Sequence, residues 1–207
     1  MNHDESQGAG CVHLVDDDES LRTAVERLLR AAGHKVRGYG SVADFLLACE
    51  SRLDGCLLLD VRMPGGPSGL ELHQALLRRG ETLPVIFLTG HGDIPMGVRA
   101  IKDGAFDFLT KPVKSEDLLR AVEQAMRSSR ELQASRAALQ RIKNRYDSLT
   151  PTEKLVCAKV VAGWPNKQIA DDLGCSERTV KAHRSQVMLK MEASSLPDLV
   201  RLIEGIS

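Results

Sequence analysis

Five short apolar runs alternate with helical segments over the first 128 residues, and this alternation limits the possible folds more than any other feature. The runs are CVHLV at 11–15, KVRGY at 35–39, GCLLLD at 55–60, PVIFLT at 84–89 and AFDFLT at 105–110. Between the first two, the apolar spacing of LRTAVERLLRAAG predicts an amphipathic helix over 21–33 that ends at Gly33. Near-continuous apolar strands that alternate with helices indicate a doubly wound α/β domain, whose parallel sheet has helices on both faces.

A long helical segment follows this predicted domain. From Ser115 to Asp147 the chain contains no Gly or Pro, which predicts one continuous helix. Every seventh position is apolar or small, at Leu118, Ala125, Leu132, Leu139 and Tyr146. The heptad positions beside this stripe are polar, at Ser129, Arg136 and Lys143. A weak coiled-coil seam and a solvated helical linker therefore both remain open.

The last 60 residues read as four short helices, with stops predicted at Gly163 and Gly174. The helical segments are LTPTEKLVCAKVVAG, NKQIADDLG, SERTVKAHRSQVMLKM and SLPDLVRLIEG. This pattern predicts a small separate all-α domain. We therefore expect an α/β domain over 11–128, a helical linker over 129–146 and a four-helix domain over 147–207.

The chain carries 28 basic and 28 acidic residues, but they are unevenly distributed. Residues 1–128 carry 15 basic and 19 acidic residues, a net charge of −4, whereas residues 129–207 carry 13 and 9, a net charge of +4. An acidic module followed by a basic one indicates different partners for the two. A hydrophobic fraction of 43% with 27% charged residues excludes a disordered chain.

Several features favour the reducing cytoplasm. No apolar run reaches the roughly 18 residues of a membrane span. The N-terminal stretch MNHDESQGAG is polar and acidic, unlike a secretory signal. The chain has five cysteines without CxxC or zinc-binding spacing, namely Cys11, Cys49, Cys56, Cys157 and Cys175. Four of the five lie in apolar stretches, where cysteine behaves as a small apolar residue.

A group of acidic, hydroxyl and basic residues lies at or just past the ends of the predicted strands. Its members are Asp16, Asp17, Asp18, Asp60, Thr89 and Lys111. Because ligands bind beyond the carboxyl ends of parallel strands, we expect these side chains to meet in one crevice. Clustered carboxylates suit a bound Mg²⁺, and an aspartate beside Mg²⁺ and a lysine can attack a phosphoryl group. The alternative is that the triple aspartate is only a solvated turn that caps the next helix.

Three motifs around these residues resemble the receiver domain of two-component response regulators. They are VDDDESLR at 15–22, LLLDVRMPGGPSGLEL at 57–72 and LTGHGDIPMGVRAIKDGAFDFLTKP at 88–112, and TGHGDIPM is most like the FixJ class. The resemblance implies a flavodoxin-like fold in which Asp60 accepts a phosphoryl group from a sensor histidine kinase.

The same resemblance implies roles for the neighbouring residues. Mg²⁺ would be held by Asp16, Asp17 and Asp60 with the backbone carbonyl of Arg62, which leaves Asp18 with the weaker claim. Thr89 and Lys111 would contact the phosphoryl oxygens, Phe108 would be the switch aromatic, and Lys111-Pro112 would be a cis peptide. All of these residues are named by the family's motifs rather than by spacing alone.

The loop MPGGPSG is one residue longer than is usual in the family, which predicts altered phosphorylation or dephosphorylation rates. Phosphatases with an aspartate nucleophile offer a different interpretation of Asp60. They need a second acid two residues further on, and this chain has Arg62 there. That interpretation is excluded.

The segment NKQIADDLGCSERTVKAHRSQVMLKM indicates a helix-turn-helix. A short helix ends at Gly174, and Ser176 is a suitable N-cap for the next helix. In that second helix Val180, Val187 and Met191 are predicted to face the core. The charge of residues 147–207, eight basic and eight acidic, would by itself favour an ordinary solvated face.

The motifs LTPTEK, NKQIADDLG and TVKAHRSQVMLKM with SLPDLVRL resemble the LuxR-type helix-turn-helix over roughly 148–205. The resemblance implies base-edge contacts by Lys181, Ala182 and Ser185. It implies phosphate contacts by Asn166, Lys167, Thr179 and Arg184. Thr152 and Trp164-Pro165 depart from the family pattern outside the reading helix.

These features together predict a DNA-binding response regulator rather than an enzyme. Phosphorylation at Asp60 is expected to promote a homodimer that binds promoter DNA, with RNA polymerase as a further partner. An output domain that acts only as a protein-docking surface is the alternative, and sequence-selective DNA binding separates the two. A metabolic enzyme has no support beyond the phosphoryl chemistry.

Overall fold

The computed structural model of the chain describes residues 10–48, 53–64, 66–90 and 94–206. The chain divides into two compact units, Met1–Gln133 and Ala134–Ser207. The strands of the first unit are β1 (Cys11–Val15), β2 (Lys35–Tyr39), β3 (Gly55–Asp60), β4 (Val85–Thr89) and β5 (Asp107–Thr110). Its helices are α1 (Glu19–Ala31), α2 (Val42–Ala48), α3 (Gly69–Arg78), α4 (Ile94–Lys102) and the first part of α5 (Ser115–Asp147). The second unit contains the rest of α5 with α6 (Pro151–Val161), α7 (Asn166–Leu173), α8 (Glu177–Met191) and α9 (Leu196–Glu204).

The five strands form one parallel sheet in the order β2-β1-β3-β4-β5, which confirms the predicted doubly wound sheet. The order reverses between β1 and β3, because the chain moves outward to β2 and then returns across β1. The carboxyl ends of β1 and β3 therefore lie side by side. This is the switch point at which open α/β sheets bind their ligands.

Two apolar layers cover the sheet, one on each face, as the near-continuous apolar strands require. One layer joins β1 and β3 to α1 and α5, and includes Val12, Leu14, Leu58, Leu29 and Val122. The other joins the same strands to α2 and α3, and includes Val15, Leu59, Phe45, Leu72 and Phe87. Both layers hold the strands rigidly, so the residues at the strand ends have fixed positions.

Three predicted boundaries differ from the structure by two residues or fewer. The first helix begins at Glu19 rather than at residue 21, because Asp18 caps it by accepting hydrogen bonds from the N–H groups of Ser20 and Leu21. β4 begins at Val85 after a proline, which cannot donate to a strand ladder. β5 begins at Asp107, two residues later than predicted, although Phe106 already donates to the carbonyl of Val85.

Helix α5 stays bound to the sheet beyond residue 128. The Ser129 hydroxyl accepts a hydrogen bond from the N–H of Gly55 at 3.3 Å, and the Gln133 side chain donates to the Asp54 carboxylate at 2.9 Å. Leu132 on the predicted seam is 40% exposed. The single long helix is confirmed, whereas the choice between a coiled-coil seam and a solvated helical linker stays open.

A separate apolar core holds the second unit together. It contains Leu149, Val156, Val160, Ile169, Val180, Val187, Met191 and Leu199. The predicted stops at Gly163 and Gly174 are confirmed, since both have positive φ, 83° and 62°. The start of α6 is tied to the end of α8, because Glu153, in a capping box with Thr150, accepts from Lys190 Nζ at 2.7 Å.

The described cysteines are free thiols: Cys11, Cys56, Cys157 and Cys175. Cys49 lies outside the described residues. Burial, with a small contribution from nearby Cys11, raises the pKa of Cys56 to about 12, so this thiol packs as an inert apolar group. Among the residues that the structure describes, no helix is both long enough and apolar enough to cross a membrane.

Two buried histidines lie in the apolar layer on the α2 and α3 side of the sheet. His13 contacts the Tyr39 hydroxyl at 3.1 Å, and His73 packs edge-on against the Phe87 ring. Burial lowers the pKa of both histidines, and the charge of Arg37 lowers the pKa of His13 further. Both imidazoles are therefore held in the neutral form that an apolar layer accepts.

We expect the first unit to lose stability as the pH falls below about 6.5, the ordinary histidine pKa. Below that pH the histidines bind protons in the unfolded chain but not yet in the folded one, so the free energy of unfolding decreases. The loss continues until the pH reaches the lowered folded pKa. Urea unfolding at pH 7.5 and 5.5 should show a smaller decrease for His73→Leu than for the wild type, because one titrating group is gone. Equal decreases for the two proteins would contradict this expectation.

Candidate functional site

Three carboxylates meet at the carboxyl ends of β1 and β3. One oxygen each of Asp16, Asp17 and Asp60 lies within 4.8 Å of the others. Asp16 is fully buried and Asp60 is 7% exposed, whereas Asp17 is exposed. The crevice predicted from the strand order therefore exists, and it opens to solvent on the Asp17 side.

Backbone N–H groups orient the two buried carboxylates. The N–H of Asp18 donates to Asp16 at 3.0 Å, and the N–H of Arg62 donates to Asp60 at 3.3 Å. Burial raises the pKa of Asp16, and the hydrogen bond from Lys111 offsets part of that effect. Each carboxylate is thus aimed by the turn that directly follows its strand.

Lys111 connects the buried carboxylates. Its ammonium Nζ lies 2.8 Å from both Asp16 Oδ2 and Asp60 Oδ2, and its side chain is only 22% exposed. Burial alone would lower the pKa of Lys111, but the hydrogen bonds and charges of the two aspartates outweigh it and hold the pKa above the ordinary lysine value. The backbone N–H of Lys111 also donates to the Thr89 carbonyl, and the implied cis peptide to Pro112 is present.

The other residues predicted for this crevice occupy distinct positions. Thr89 ends β4 and is 1% exposed, with its hydroxyl 3.4 Å from the Gly90 carbonyl. Phe108 is half-buried on β5 and pairs with Phe87 on β4. Asp18 does not join the cluster and caps α1 instead, so the capping alternative is correct for this one aspartate.

The carboxylate cluster has the chemistry of a divalent cation site. All its ligand atoms are oxygens, which magnesium, calcium and manganese prefer. The two carboxylates that Lys111 bridges also show that a positive charge is favourable at this point. The residues therefore fit a bound metal ion, as predicted from the strand-end aspartates.

Backbone contacts hold the two ends of the loop that follows Asp60. The N–H of Gly69 donates to the Val61 carbonyl at 3.2 Å, and a Cβ on Gly69 would lie 2.1 Å from the Asp60 carbonyl oxygen. Only glycine fits this approach. Ser68 and Glu71 form a capping box that fixes the start of α3 directly behind the loop.

The second unit contains the predicted helix-turn-helix. Helix α7 ends at Gly174, and the Ser176 hydroxyl caps α8 by accepting from the Thr179 N–H at 3.1 Å. The three residues expected to face the core are buried: Val180, Val187 and Met191. Pro165, a departure from the family pattern, precedes α7 and gives it no side-chain cap.

Four of the seven residues predicted to contact DNA line one shallow surface depression, together with a methionine that was not predicted. The lining residues are Asn166, Lys181, Arg184, Ser185 and Met188. Arg184 donates to the Asn166 side chain at 2.6 Å, and Ser185 donates to the Lys181 carbonyl at 3.0 Å.

The remaining three predicted residues, Lys167, Thr179 and Ala182, are exposed but do not line this depression. The hydroxyl of Thr179 lies 2.9 Å from that of Ser176, at the N-terminus of α8. Met188 was not among the predicted residues of this surface. Its position seven residues, or two helical turns, after Lys181 would have placed it on the same face of α8.

Two family models match separate parts of the chain. Residues 12–123 match the family described as "Response regulator receiver domain", and residues 147–203 match "Bacterial regulatory proteins, luxR family". The response regulator protein TmoT of Ectopseudomonas mendocina is 43% identical over 206 residues, which cover 100% of this chain and 91% of TmoT. The transcriptional regulatory protein FixJ of Azorhizobium caulinodans is 44% identical, with 95% of this chain and 93% of FixJ covered.

Solved structures agree with these sequence matches. The response regulator StyR has a TM-score of 0.84 at 42% identity, with 94% of this chain and 98% of StyR covered. Full-length FixJ from B. japonicum has a TM-score of 0.58 at 38% identity, with 95% of this chain and 97% of FixJ covered.

A five-stranded receiver fold with an acidic crevice, joined to a helix-turn-helix unit, defines a two-component response regulator. This chain belongs to that family, in the group that carries a LuxR-type DNA-binding domain and regulates transcription. The family and fold predicted from the sequence are confirmed.

Proposed function

We propose that this regulator is switched by transfer of a phosphoryl group from a sensor histidine kinase to Asp60. The observation that carries the proposal is the position of Lys111 Nζ, 2.8 Å from both Asp16 and Asp60 in a mostly buried crevice. An aspartate held beside a cation is the arrangement that phosphoryl transfer needs, because charge on the transferring oxygens must be neutralised.

In the proposed reaction an Asp60 carboxylate oxygen attacks phosphorus and forms a P–O bond. The P–N bond to the donor histidine breaks, and its electron pair leaves with the imidazole nitrogen. Lys111 then exchanges one of its carboxylate partners for a phosphoryl oxygen. Mg²⁺ bound by Asp16, Asp17, Asp60 and the Arg62 carbonyl would supply further neutralisation of the phosphoryl charge.

The proposed switch joins the crevice to the surface through Thr89 and Phe108. A hydrogen bond between the Thr89 hydroxyl and a phosphoryl oxygen would draw Thr89 toward Asp60, and Phe108 on the neighbouring strand would turn inward. The resulting surface change promotes a homodimer, with a coupling free energy of about 1–3 kcal/mol. Residues 11–128 would thus act as receiver, 129–146 as helical linker and 147–207 as the DNA-binding output.

The proposed dimer binds promoter DNA in the bacterial cytoplasm and contacts RNA polymerase there. The depression lined by Lys181, Arg184 and Ser185 on α8 supports DNA as the ligand, since helix-turn-helix proteins place their second helix in the major groove. An output unit that only docks on proteins would not need basic and hydroxyl groups on that surface.

Phosphorylated protein should bind a selected duplex more tightly than a scrambled one, and more tightly than unphosphorylated protein does. The full chain is treated with acetyl phosphate and Mg²⁺, a preferred duplex is selected from a random pool, and both duplexes are compared by gel shift across a salt series. Sedimentation of the same samples measures the dimer fraction. Equal affinity for the two duplexes would support the docking-only alternative, and an unchanged dimer fraction would contradict the switch.

A further inference from the structure

Met188 is the one apolar residue among those that line the depression on α8. The other lining residues are Asn166, Lys181, Arg184 and Ser185, all of which are polar or charged. Met188 is half-buried, so part of its side chain packs against the core of the second unit and part faces the depression. Met188 therefore contributes an apolar group both to the core and to the surface of the depression.

The geometry of the helix puts Met188 in line with Lys181. Successive residues of an α-helix turn by about 100°, so a residue seven positions further on lies only about 20° away around the axis. Arg184 and Ser185 flank this line, one on each side. Val187, the neighbour that does face the core, is 1% exposed. Met188 therefore lies next to Lys181, at the edge of the surface that carries the predicted base-reading residues.

We infer that Met188 is a specificity-determining residue that contacts the C5-methyl group of a thymine in the major groove. The inference rests on the proposed DNA-binding function. The thymine methyl is the apolar group that base pairs present in the major groove, and apolar side chains recognise it by contact. Methionine suits this task because its unbranched, polarisable side chain adapts to the position of the methyl group.

The position of the thymine follows from the helix rise. Seven residues at about 1.5 Å each separate Met188 from Lys181 by about 10 Å along α8. That length corresponds to about three base-pair steps of 3.4 Å. The thymine should lie within about three base pairs of the base that Lys181 reads.

The experiment removes the methyl group from the DNA and the thioether from the protein. On the duplex selected by phosphorylated full-length protein, each thymine is replaced in turn by uracil, which lacks only the C5-methyl. Burial of one methyl-sized group is worth about 0.8 kcal/mol, which is about fourfold in affinity. One uracil position in each half-site should therefore weaken wild-type binding about fourfold, and this penalty should vanish in Met188→Ala.

Two further variants separate base reading from packing. Met188→Leu keeps an apolar side chain and should retain most of the uracil penalty. Leu155→Ala removes an apolar side chain that is 53% exposed on α6, outside the depression, and should retain all of the penalty. If Met188→Ala does not fold, Met188→Gln decides, because it keeps the length of the side chain but replaces the thioether by a polar amide, and it should lose the uracil penalty.

The possible failures are distinguishable. A wild-type protein without any preference between selected and scrambled duplexes would overturn the proposed function and this inference with it. Selective binding with no uracil-sensitive thymine, or with the same penalty in Met188→Ala, would overturn the inference alone. In that case lower thermal stability of Met188→Ala would assign the residue to the core.

Discussion

Phosphorylation of the protein by acetyl phosphate and Mg²⁺ should be abolished in Asp60→Asn. The amide has nearly the same shape as the carboxylate but is no nucleophile, so the P–O bond cannot form. Asp60 is the acid at the end of β3 that faces both Lys111 and the Asp16–Asp17 pair. The loss should be essentially complete, as measured by acid-labile incorporation of labelled phosphate.

Asp18→Asn is the matched control for this experiment. It makes the same chemical change close to the crevice, but Asp18 caps α1 and does not join the carboxylate cluster. Asparagine is as good an N-cap as aspartate, so the fold should be kept. We expect wild-type labelling in Asp18→Asn. Persistent acid-labile label in Asp60→Asn would move the phosphoacceptor to another residue.

The sheet and the crevice could be predicted because both follow from the order of apolar runs. Strands buried on both faces read as continuous apolar segments, and the acids that follow β1 and β3 must meet once those strands are neighbours. The start of β5 was placed too early because Ala105 and Phe106 are apolar, although the strand begins at Asp107 and Phe106 makes only one backbone hydrogen bond to β4. Apolar composition alone does not mark where a strand begins.

Contacts between side chains were harder to predict than the places of the residues in the fold. The sequence places Lys111 at the crevice, but its equal distance to Asp16 and Asp60 depends on side-chain rotamers that no pattern encodes. The hydrogen bond from Arg184 to Asn166 joins α8 to α7, and the sequence pattern of neither helix predicts it. Asp18 could equally have been a ligand or a cap, because aspartate is favoured in both roles.

Lys181 and Arg184 should affect DNA binding in different ways. Lys181 is exposed in the N-terminal half of α8. In a recognition helix this half reaches the base edges, and a lysine there can donate to guanine O6 or N7. Arg184 is half-buried and its guanidinium donates to Asn166 at the start of α7. We expect its remaining donors to bind a phosphate. Base reading and phosphate binding are thus expected from adjacent turns of one helix.

The test compares Lys181→Ala and Arg184→Ala on selected and scrambled duplexes across a salt series. Loss of Lys181 should reduce the ratio of the affinity for the selected duplex to that for the scrambled duplex by roughly 5- to 150-fold, which is about 1–3 kcal/mol, since only the selected duplex offers the base that Lys181 reads. Loss of Arg184 should weaken binding to both duplexes by the same factor. It should also lower the slope of log affinity against log salt concentration by about one, because one phosphate contact disappears. Arg201→Ala removes the same charge on α9, where Arg201 pairs with Asp198, and should leave both the affinity ratio and the salt slope unchanged.

A dimer also requires half-sites about 10 base pairs apart in the selected duplex. If Lys181→Ala keeps the full ratio, base reading belongs to Ser185 or Arg184 instead.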